Sequence, residues 1–70
     1  MKMAEKTLKE LRAEREELVS GKQDAANGLV KSINEGDSSL AALYVAECNR
    51  LDNAIVLLDI QILVKEAAGV

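Results

Sequence analysis

A chain of 70 residues with a formal net charge of -3 can form one domain at most, and a domain of that size buries only about 60% of the surface its unfolded chain exposes. The acidic balance, with a pI near 4.8, argues against a nucleic-acid partner, because phosphate binding is driven by clustered Lys and Arg. Folding therefore needs help from a disulfide, a metal or another chain.

Composition closes two of those routes. Cys48 is the one cysteine, so no intrachain disulfide forms, and a lone thiol fits a reducing compartment; the cytoplasm is the expected location. Without histidine, one cysteine cannot supply the nitrogen and sulfur set of a structural zinc site, and no cofactor is expected. Association with a copy of itself, or with another protein, remains. Apolar residues at 49% and charged residues at 30% give an ordinary globular balance. Tyr44 is the single aromatic and proline is absent, which favours uninterrupted helix. The longest mostly apolar run, Ala54 to Val64, contains Asp59 and Gln61 and falls short of the roughly 20 residues a membrane span needs. The opening MKMAEKTLKEL has lysines with no apolar stretch behind them, so a signal peptide is not expected.

In chain order, residues 2–18 are rich in good helix formers. Ala4, Leu8, Leu11, Arg15 and Leu18 recur at steps of four and three, which lays one stripe along a helix. Glu5, Lys9, Arg12 and Glu16 occupy the solvated side. The stripe continues through Ala26, Leu29, Val30 and Ile33, although Gly21 and Gly28 each cost about 1 kcal/mol in a helix interior. Two readings stay open. In one, a continuous helix presents Gly21, Ala25, Gly28 and Ser32 as a seam of small side chains. In the other, the chain breaks at Ser20-Gly21 and Asp24 caps a second short helix.

Asn34-Glu35-Gly36-Asp37-Ser38-Ser39 is the clearest punctuation, with Gly36 suited to a left-handed helix end and Asp37 or Ser38 to the next N-cap. A connection this short makes the flanking helices antiparallel neighbours. From Leu40 onward, Leu40, Tyr44, Cys48, Leu51, Ile55, Leu58 and Ile62 run at steps of four and three and form the expected intramolecular seam. Val56, Ile60, Leu63 and Ala67 make a second stripe on the opposite side, with Leu57 and Val64 beside it. One partner helix cannot cover both stripes, so the second is the expected oligomer interface. An antiparallel register about Gly36 sets Ile33 near Leu40, Leu29 near Tyr44, Lys22 near Leu51, Arg15 near Leu58 and Leu11 near Ile62. It also offers Asp59 to Arg15 and Asp52 to Lys22.

The expected fold is thus all-α: a single domain over 1–70 with a helix over about 3–35, or two helices in its place if the chain breaks at 20–23, a turn at about 34–38 and a helix over about 39–68. The hairpin assembles into a homo-oligomeric, coiled-coil-like helical bundle. Catalysis by general base or nucleophile needs a positioned base, and Cys48 lies on an apolar stripe without one, as a small buried hydrophobe. Tyr44 reads as a core or interface aromatic. Glu10, Glu14, Glu16 and Glu17 are spread around the helix among Arg12 and Arg15, a solvated surface rather than a metal site. Ser20-Gly21-Lys22 lacks the spacing of a phosphate loop. Lys2, Lys6 and Lys9 form a small basic cluster suited to steering an acidic protein partner.

LRAEREELVSGK (Leu11 to Lys22), about a sixth of the chain, resembles the first helix of the small phage head-to-tail joining proteins. The resemblance implies a following β-hairpin, and residues 23–39 lack the β-branched alternation a hairpin requires, so nothing further is carried over. The functional expectation is a non-enzymatic interaction protein that binds, inhibits or scaffolds another protein, without nucleic-acid or membrane partners. The alternative is a binder of an anionic metabolite or nucleotide between subunits, with Arg15, Lys22 and Arg50 as anion contacts.

Overall fold

A computed structural model describes residues 6–69 of the protein. They form two antiparallel helices packed on each other, α1 (Leu8–Asn34) and α2 (Ser38–Ala68), and no strand is present among the described residues. Residues 23–39 are helix and turn, so the β-hairpin of the head-to-tail joining proteins has no counterpart here.

Lys6 and Thr7 precede α1, which starts at Leu8 rather than near residue 3; Lys2, Ala4 and Glu5 lie outside the described residues. A capping box sets this start. The Thr7 hydroxyl accepts from the Glu10 backbone N–H at 3.2 Å, and the Glu10 carboxylate accepts from the Thr7 N–H at 3.3 Å, so two N–H groups that the helix leaves unpaired are satisfied.

The helix then runs unbroken through Gly21 and Gly28, and the alternative of three helices does not arise. At the turn, Gly36 has φ +74°; the Gly36 N–H donates to the Ile33 carbonyl at 3.1 Å and the Asp37 N–H to the Ser32 carbonyl at 2.9 Å. This pair is a Schellman ending. Asp37 also caps α2, its carboxylate accepting from the Leu40 N–H at 3.0 Å, so one residue closes the first helix and opens the second.

The core sits toward the end of the hairpin away from the turn, where Leu11, Leu58 and Ile62 cluster and Leu8 and Leu18 pack against them. Leu51 and Ala25 are buried further along the seam. Tyr44, Cys48 and Ile55 are half-buried, and Leu40, beside the turn, is 38% exposed.

The second half of α1 departs from the expected stripe. Val30 and Ile33 are 58% and 63% exposed, while Ala25 and Ser32 face inward. Leu11, Leu18, Ala25 and Ser32 keep a strict seven-residue spacing, so the inward seam stays in heptad phase along the helix and Val30 and Ile33 fall beside it. The exchange admits Tyr44: a Cβ on Gly28 would lie 2.5 Å from the Tyr44 ring atoms Cε1 and Cζ. Ser32, the one buried polar side chain among the described residues, donates its hydroxyl to the Gly28 carbonyl at 2.8 Å, which removes the penalty of an unpaired hydroxyl. The molecule measures 50 × 26 × 14 Å, a slab one helix thick in which each helix keeps an outer face.

Candidate functional site

The two charges on the inward stripe of α1 have partners on α2. Arg15 Nε lies 2.5 Å from Asp59 Oδ1, Lys22 Nζ 2.5 Å from Asp52 Oδ1, and Arg12 reaches Glu66 at 3.1 Å. All three pairs lie along one edge of the hairpin, because acids at 52, 59 and 66 recur every seven residues on α2. The Asp52 hydrogen bond, reinforced by its charge, raises the Lys22 pKa above the ordinary lysine value. Arg50 pairs within its own helix with Glu47 at 2.5 Å; their hydrogen bond lowers the Glu47 pKa and raises that of Arg50.

Of the three residues considered as anion contacts, Arg15 and Lys22 share an edge, while Arg50 stands elsewhere on α2 with its own acid. Each holds a carboxylate. An incoming anion would have to displace Asp59, Asp52 or Glu47, so no observation favours that use over the ion pairs. Cys48 is half-buried on the seam. No group of acids and cysteine among the described residues is arranged to hold a metal ion, and no helix is long and apolar enough to cross a membrane.

The surface that stands out is the outer side of α2. Val56, Ile60 and Leu63 are 56%, 52% and 65% exposed, Ala67 is exposed, and Leu57 and Val64 widen the band. α1 covers the opposite side of α2, where Leu51, Leu58 and Ile62 are buried. Toward the end of α2, Ile60 and Val64 border an open depression with Gln61, Lys65, Ala68 and Lys6. Leu43 and Val45 extend the apolar surface toward the turn. These two residues were missed in sequence because they flank the second stripe rather than continue its four-and-three spacing.

No protein-family model, no curated protein and no solved structure matches the chain.

Proposed function

We propose that this protein is a non-enzymatic interaction module whose working form is a homo-oligomer of helical hairpins, and that it acts by binding, inhibiting or scaffolding another protein. The observation that supports the reading is the band of Val56, Leu57, Ile60, Leu63 and Val64, each more than half exposed with α1 in place. Contiguous apolar surface of this kind marks an interaction site, and a chain this small gains from a subunit interface the burial its own core lacks. A second copy through this band comes first; the remaining surface, rich in charge on α1, is left for the other protein.

Two substitutions test the reading. Ile60→Asp places an unpaired charge in the interface, at a cost of several kcal/mol, and should yield a folded hairpin with the mass of one chain. Leu51→Asp strikes the buried seam and should unfold the chain instead. Light scattering together with circular dichroism separates these results. An Ile60→Asp protein that keeps the mass of a wild-type oligomer would show that this band is not the subunit interface, and wild-type protein with the mass of one chain would sink self-association itself.

A further inference from the structure

We draw no further inference here: the strongest candidate, the open depression on the outer side of α2 that Ile60, Gln61, Val64 and Ala68 line with Lys6 and Lys65, belongs to the exposed apolar band already described, and nothing in the structure shows what covers it.

Discussion

Gly28→Ala puts two effects of similar size in opposition, and the structure decides between them. Alanine gains about 1 kcal/mol over glycine in a helix interior. Against this, the added Cβ would sit 2.5 Å from Tyr44 Cε1 and Cζ and 2.9 Å from its hydroxyl oxygen, where ordinary contact begins near 3.5 Å. The ring must retreat by about 1 Å or swing into solvent, and overpacking of this kind costs about 1–3 kcal/mol. The net is a loss of about 1 kcal/mol, a fall in Tm of roughly 4–8 °C for a domain of this size. Gly21 supplies the internal control, because its Cβ would meet only Leu51 Cδ1 at 3.9 Å, an ordinary contact. Gly21→Ala should therefore raise Tm by a similar amount.

The assay is thermal and urea unfolding followed by circular dichroism at one fixed protein concentration, because Tm of any chain that associates depends on concentration. Tyr44 is the chain's single aromatic, so its near-ultraviolet signal reports the displaced ring directly. In a Tyr44→Ala background the clash is gone and Gly28→Ala should stabilise by about 1 kcal/mol, a coupling of about 2 kcal/mol in the double-mutant cycle. If Gly28→Ala stabilises the otherwise wild-type protein as much as Gly21→Ala does, the fit between Gly28 and Tyr44 plays no part in holding the helices together.

The helix ends and the ion-paired edge give further expectations. Gly36→Ala meets no steric obstacle, but φ +74° costs a side chain about 1–2 kcal/mol, so the urea midpoint should fall with an unchanged slope. Thr7→Ala removes the hydroxyl that accepts from the Glu10 N–H, while the backbone N–H at position 7 keeps its bond to the Glu10 carboxylate, and should cost about 1 kcal/mol, read as faster hydrogen exchange in the first turn of α1. Lys22 has a folded pKa raised by Asp52, so its contribution is complete below the ordinary lysine range and is lost as pH rises through the raised value. Wild-type stability should therefore decline relative to Lys22→Met as pH climbs beyond about 10, and parallel curves for the two proteins would remove Lys22 from the account.

Much of the hairpin was legible because its strongest signals are local. The Asn34 to Ser39 segment holds a glycine and an aspartate at the spacing a Schellman ending and an N-cap require, and both form there. The ion pairs of Arg15 with Asp59 and Lys22 with Asp52 follow from an antiparallel register counted from that turn. The inward side of α1 beyond Gly21 was less legible. Apolar character drew the stripe onto Val30 and Ile33, whereas the seam of small side chains in the continuous-helix reading, with Ala25 and Ser32 buried and Gly28 against Tyr44, is the side that faces inward; hydrophobic periodicity does not register that Tyr44 requires a position without a Cβ. The start of α1 was hidden for a similar reason: helix formers continue on both sides of Thr7, and only the reciprocal bonds with Glu10 mark the boundary.

Hydrophobicity selects the inward side of α2 over its first half, where Leu40, Tyr44, Cys48 and Leu51 stand opposite Ala42, Ala46, Asn49 and Asn53, and leaves the second half undecided because apolar residues circle it. There α1, which is amphipathic and marked, adds the rest. Arg15 and Lys22 lie on the inward stripe at steps that α2 answers with acids only along the edge of Asp52 and Asp59, and Gly28 leaves a gap that Tyr44 fills. Turning Val56, Ile60 and Leu63 toward α1 would bring Asn49 and Asn53 inward in place of Tyr44 and Leu51, would take Asp59 and Asp52 away from Arg15 and Lys22, and would leave the gap at Gly28 empty. An unpaired charge held against apolar surface costs more than an exposed ion pair returns, about 0.2–1 kcal/mol. The polar marks on α1 therefore add to hydrophobicity by penalising the wrong side of α2, and the outer side of that helix is left exposed.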